Sequence, residues 1–147
     1  MIRAKSAVLV LTLGLLSIQS ACTSTSSDVE IINAWTRPFQ VDSGLSTALY
    51  FSLENNSNES VQLTGAEISA ADTVEIHRSE VIDGLMRMRA QQNVTIQSKE
   101  VIHFEPGSHH LMIKGLKTDL SLDDSLQFTL HFANRPSKDA KAVVKWE

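Results

Sequence analysis

Residues 126–132 alternate without a break: Leu126, Phe128, Leu130 and Phe132 are apolar, and Gln127, Thr129 and His131 between them are polar. A period of two sends successive side chains to opposite faces of an extended chain, so this segment predicts a strand with one buried and one wet side. The same alternation recurs over 29–36, 46–54, 60–68, 73–81, 85–90, 101–104, 109–114 and 140–146. No stretch shows the 3.6-residue spacing of a long amphipathic helix. Roughly eight or nine short strands follow, the pattern of an all-β sandwich.

Turn chemistry separates the strands. Residues 55–58 are polar, Asp83-Gly84 accepts the positive φ angles of a tight hairpin, and in Pro106-Gly107 proline sets the first central φ of a type II turn while glycine takes the second. The chain has 147 residues, 42% hydrophobic and 20% charged, with no internal repeat or interdomain linker, which predicts a single core. Lys and Arg number 13 against 17 Asp and Glu, with no basic run to gather phosphates, so nucleic acid is not an expected partner. A single cysteine excludes a disulfide framework or a thiolate cluster within one subunit.

The first residues read as an address. Arg3 and Lys5 precede an apolar stretch, 7–18, too short to span a bilayer comfortably, so residues 1–21 are expected to be an export signal. That signal ends in Gln19-Ser20-Ala21-Cys22, which resembles the lipobox of bacterial lipoproteins, with Gln19 where leucine is usual. The resemblance implies acylation of Cys22 and, because Thr23 rather than aspartate follows, an anchor in the outer membrane of a Gram-negative bacterium. Residues 22–28, rich in Ser and Thr, have the composition of a flexible tether, leaving 29–147 as an acidic periplasmic domain.

Apart from Met1, the methionines are Met86, Met88 and Met112, and all fall within the histidine-bearing stretch 77–112. Core filling alone would scatter them. A hairpin closed by Asp83-Gly84 sets Ile82 opposite Leu85, Val81 opposite Met86, Ser79 opposite Met88 and His77 opposite Ala90. His77 and Met88 then become diagonal neighbours on one face, about 7–8 Å apart at the backbone. Met86 shares that face as a reserve ligand or apolar cover. Further along, His110 and Met112 project from one side of a strand while Leu111 and Ile113 point to the core. His109 must face the other way and reads as structural or rim, with an auxiliary donor as the alternative. His103 and His131 lack a neighbouring donor and read as isolated imidazoles.

Two imidazoles and two thioethers form a soft, neutral donor set. Thioether sulfur favours Cu(I), whereas Cu(II) prefers a tetragonal nitrogen and oxygen field, and zinc more usually takes thiolate, imidazole or carboxylate. A blue-copper electron carrier needs a thiolate beside its histidines, and Cys22 lies at the processing site. An enzyme is not expected either, since no nucleophile, base and orienting group stand in motif spacing.

The spacing itself is specific: His77, ten residues, Met88, twenty-one residues, His110, one residue, Met112. It resembles the motif of the periplasmic copper chaperones of the PCuAC type. Ala34-Trp35-Thr36-Arg37-Pro38, Gly84-Leu85-Met86-Arg87-Met88-Arg89, Pro106-Gly107 and Lys114-Gly115-Leu116 are also similar to that family, although His109 stands where it commonly has an aromatic. The resemblance implies a cupredoxin-like Greek-key β-sandwich that binds Cu(I) through His77, Met88, His110 and Met112. It also implies transfer of copper to a respiratory oxidase, with a copper-receiving oxidase subunit or a thiol-bearing copper chaperone as partner. The competing reading is a structural or protein-binding lipoprotein domain whose histidines and methionines are incidental.

Overall fold

The computed structural model describes residues 28–43 and 46–146. The expected export signal, Cys22 and the tether up to residue 27 lie outside the described residues. Ten strands follow in chain order: β1 (Val29–Thr36), β2 (Thr47–Asn55), β3 (Val61–Glu67), β4 (Thr73–Ile82), β5 (Leu85–Ala90), β6 (Val94–Ile96), β7 (Val101–Phe104), β8 (His109–Lys114), β9 (Ser125–Phe132) and β10 (Lys138–Val144). A short 3-10 turn, Val41–Ser43, lies between β1 and β2. Nine strands occupy the segments where alternation predicts them. β6 is the addition, since three residues are too few to display a period. It forms because Val94 and Ile96 pair with Leu63 and Val61 of β3 and bury against the core.

Neighbouring strands run β5-β4-β8-β7-β2-β1-β10-β9-β3-β6. This ribbon folds on itself. β2 and β9 are separated by β1 and β10 within the sheet, yet the rings of Phe51 on β2 and Phe128 on β9 stand 5.8 Å apart. Strands lie about 4.8 Å apart, so only two facing layers bring those rings together. Leu49, Leu53, Leu111 and Ile113 from one layer meet Leu63, Ile96, Leu130 and Val144 from the other, all fully buried. The layers join where β1 runs parallel to β10, with Trp35 opposite Val143 and Thr36 opposite Val144. The sandwich of the sequence pattern is therefore the observed architecture.

The two glycine-bearing turns form as predicted. Asp83 and Gly84 adopt φ angles of 53° and 74°, the type I′ hairpin geometry that matches strand twist. Gly107 sits at φ 83°, and the Ser108 N–H donates to the Glu105 carbonyl at 3.0 Å, closing the turn that leads into β8. A bulge between Ile32 and Trp35, with Asn33 at φ 53°, rephases β1. It puts Trp35 opposite Tyr50 on the outer face while Thr36 turns inward, where its hydroxyl donates to the Ala48 carbonyl at 2.9 Å.

Candidate metal centre

β5 pairs with β4 in the register that the hairpin turn predicts: Ile82 opposite Leu85, Val81 opposite Met86, Ser79 opposite Met88 and His77 opposite Ala90. On its other side β4 pairs antiparallel with β8, placing His77 directly opposite His110 and Glu75 opposite Met112. Directly opposed residues share a face. His77, His110, Met112, Met88 and Met86 therefore all project from the outer face of β5-β4-β8, while Ile76, Leu111 and Ile113 point into the core. The two imidazole rings stand 5.8 Å apart, inclined by 52°.

Hydrogen bonds assign the tautomer of each ring. His77 Nε2 lies 2.7 Å from Glu75 Oε2, which also accepts from Lys114 Nζ at 2.8 Å. Lys114, and after it His77, hold the Glu75 carboxyl below its ordinary range, so it is an ionised acceptor. Nε2 of His77 must then carry a proton, and in the neutral ring the lone pair falls on Nδ1. Nδ1 is buried and has no hydrogen-bond partner among the described residues. A buried lone pair without a partner is costly unless something binds it, which is the condition of a ligand atom.

His110 is only 4% exposed. Its Nδ1 makes a long hydrogen bond, 3.3 Å, to the Ser108 carbonyl, so that nitrogen carries the proton and Nε2 keeps the lone pair. The Ser108 carbonyl also accepts from the Ser79 N–H at 3.0 Å, which ties the Pro106-Gly107 turn to β4. Burial pushes the His110 imidazole below its ordinary pKa, and the neighbouring His77 lowers it further against the opposing bond to Ser108. The ring is thereby kept neutral and able to donate.

The sulfurs are arranged differently. Met88 is 58% exposed and Met86 63% exposed, both on β5, whereas Met112 is half-buried between Ala48 and Glu75. Met86 shares the face but stands one pair nearer the turn, opposite Val81. His109 is not brought to the site. Strand alternation turns it to the opposite face, against the Phe104 ring at 5.5 Å and opposite Arg78. His103 and His131 stand away from the site, bonded to the hydroxyls of Ser52 and Ser137 at 2.9 Å each, and His131 Nε2 also lies 3.7 Å from Glu67 Oε2.

Among the described residues, no three His, Cys, Asp or Glu side chains are grouped so as to hold a metal ion. The pattern of donors overlooked the groups around them. Glu75 could have been found, because it lies two residues before His77 and so shares its face. Tyr50 and Trp35 could not, since they reach the site by long-range pairing: Tyr50 lies 6.3 Å from the His110 ring and Trp35 4.6 Å from Tyr50.

This architecture is that of the cupredoxin-like PCuAC domains. The apo PCuAC domain from PmoF1 superimposes with a TM-score of 0.67 at 19% identity, covering 80% of this chain and 93% of that domain. The copper-bound PCuAC domain from PmoF2 gives 0.66 at 16% identity, over 80% and 92% of the two chains. Apo-DR1885 from Deinococcus radiodurans gives 0.63 at 22% identity, over 100% and 97%. These likenesses establish the fold.

The family is a separate finding. Residues 29–144 match the model described as "Putative lipoprotein LpqE-like", and the chain belongs to that family. An uncharacterized protein of Rickettsia prowazekii is 31% identical over 119 residues, and a protein of Leifsonia xyli with a lipoprotein name is 27% identical over 118. The matched region covers 79% and 80% of this chain; it spans just under two thirds of the Rickettsia protein, 66%, and 69% of the Leifsonia one. The PCuAC resemblance thus holds at the level of fold, while the family itself is LpqE-like.

Proposed function

We propose that the protein is an exported copper chaperone that carries Cu(I) as cargo on His77, Met88, His110 and Met112. The observation that carries this reading is the convergence on one face of two imidazoles, one of them with a buried Nδ1 that has no hydrogen-bond partner among the described residues, beside two thioethers. Such a set suits a soft monovalent ion, and a copper-bound domain occurs among proteins of the same fold. The donors are neutral, so bound Cu(I) keeps its positive charge, and the Glu75 carboxylate nearby partly balances it.

Release proceeds by ligand exchange. The thioether of Met88 is exposed, so a donor from a partner can replace it while the imidazoles still hold the ion. A thiolate from a copper chaperone, or a ligand of an oxidase copper subunit, completes the transfer without breaking a bond in either protein. Acylated Cys22 keeps the domain in the periplasm, tethered to the outer membrane of a Gram-negative cell.

The test is Cu(I) titration of the exported protein under reducing conditions against a chromophoric chelator, followed by X-ray absorption. One ion with two nitrogen and two sulfur neighbours is expected. Met88→Leu combined with Met112→Leu should lower affinity by more than tenfold. Unchanged affinity in that double variant, or a site without sulfur, overturns the reading.

A further inference from the structure

β5 ends the sheet. Among the described residues no strand pairs with its outer edge, and all six of its residues are exposed. One face of this edge is apolar: Met86, Met88 and the opposing Val81 are 63%, 58% and 69% exposed. The other face presents Arg87 and Arg89, which alternate with the methionines, beyond an exposed Leu85 next to the turn. Glu80, opposite Arg87, is engaged by Arg78 at 3.4 Å, and among the described residues neither Arg87 nor Arg89 forms an ion pair.

An open edge with an apolar face invites pairing and is usually blunted by charge. Here the charge is of one sign, on a chain that is acidic overall. It selects rather than blocks. A second copy of this chain is disfavoured, since a register that matches the methionine faces of two β5 strands sets arginine rows against each other. An acidic strand meets no such repulsion.

We propose that β5 is the docking edge for the copper recipient. A segment of the partner with alternating soft donors and carboxylates adds to β5 as a further strand. Its methionine or cysteine side chains lie beside Met86 and Met88, and its carboxylates lie beside Arg87 and Arg89. Main-chain pairing supplies the contact, and the two-residue period delivers an incoming donor to the copper face. Side chains directly opposite across adjacent strands are about 5 Å apart, close enough for a donor to replace Met88 on a shared ion. This inference rests on the copper-carrier reading for its purpose, while the docking itself can be measured without copper.

The probe is a capped synthetic peptide, Met-Glu-Met-Glu-Met-Glu, added to the isotopically labelled exported protein in apo and Cu(I)-loaded forms. Two control peptides carry lysine for glutamate or N-methyl groups on alternate amides, which prevent strand pairing. Only the acidic unmethylated peptide should bind and protect β5 amides from exchange, in both forms. Arg87→Glu with Arg89→Glu should weaken it by roughly tenfold and reverse the preference toward the lysine peptide. Cu(I) affinity of that variant should match the parent, which also reports that the fold is intact. Failure of the acidic peptide to bind, or equal binding of either control, overturns the docking edge. Strand addition to a protein that binds no Cu(I) supports the edge and sinks the carrier reading instead.

Discussion

Replacing Glu75 by leucine separates the donors from the groups that aim them. Glu75 Oε2 accepts at once from His77 Nε2 at 2.7 Å and from Lys114 Nζ at 2.8 Å, so it fixes both the proton on Nε2 and the rotation of the ring. Leucine accepts nothing. The His77 ring then loses its anchor, and its buried Nδ1 is no longer held as the free lone pair. Outer partners of ligand histidines are typically worth roughly 10- to 100-fold in metal affinity. The Glu75 side chain is 36% exposed, so water can replace part of what is lost. The lower end, about tenfold, is therefore expected for leucine, and a smaller loss for Glu75→Gln, which keeps an acceptor oxygen without the charge. Chelator competition at pH 7.5 measures the affinities, and nitrogen-15 shifts of the apo protein report which ring nitrogen carries the proton. Parental Cu(I) affinity in Glu75→Leu, or a protonated Nδ1 on His77 in the parent protein, would refute the reasoning.

Two further expectations concern stability. A Cβ on Gly84 meets nothing within 4 Å, so Gly84→Ala should lose only the left-handed backbone preference, about 1 kcal/mol. A Cβ on Gly115, also at positive φ, would lie 2.7 and 2.9 Å from Cγ and Cβ of Asp72, and Gly115→Ala should cost more, roughly 2–4 kcal/mol, with urea midpoints deciding the order. The second expectation is pH dependence. Burial lowers His110 and His109 below the ordinary imidazole value of 6.5, with His77 and Arg78 respectively adding to the effect. Between those lowered values and 6.5 the unfolded chain binds more protons, so stability is complete above about pH 6.5 and falls as acid is added through that window. Glu75 adds its own loss further down, as pH drops from the ordinary 4.5 through its lowered value. Denaturation from pH 7.5 to 5 should show the first fall, shallower in His109→Phe; a flat profile in the parent would contradict it.

The parts of the fold legible in the sequence are those fixed by local rules. Asp83-Gly84 admits a two-residue hairpin, and that turn alone determines which β4 residue meets Met88. The pairing of β4 with β8 has no local signal, because twenty-six residues separate Ile82 from His109 and the strands meet only through the closed sandwich. The facing imidazoles could therefore be anticipated as donors but not as directly opposed partners. β10 begins at Lys138 rather than 140 because Lys138 and Asp139 pair with Leu130 and Thr129, although their polarity hides the strand. It ends at Val144, after which the Lys145 N–H turns to the Thr36 carbonyl at 2.9 Å.

The division of burial among the candidate donors bears on how copper would leave. His110 is 4% exposed and hydrogen-bonded to Ser108, and the His77 side chain is 14% exposed and bonded to Glu75. Releasing His77 first would leave its buried Nδ1 without a partner, although its hydrogen bond to Glu75 would persist. Met88, at 58% exposure on a strand with one neighbour, has no such restraint, and a thioether is neutral and easily rehydrated. On the proposed carrier reading, exchange would therefore start at Met88, and the ion would move toward the open edge while the imidazoles hold it until a replacement arrives. Had the sulfurs been buried and the imidazoles exposed, the same four donors would release copper at the proton-sensitive ligands first, and transfer would follow pH rather than contact with a partner.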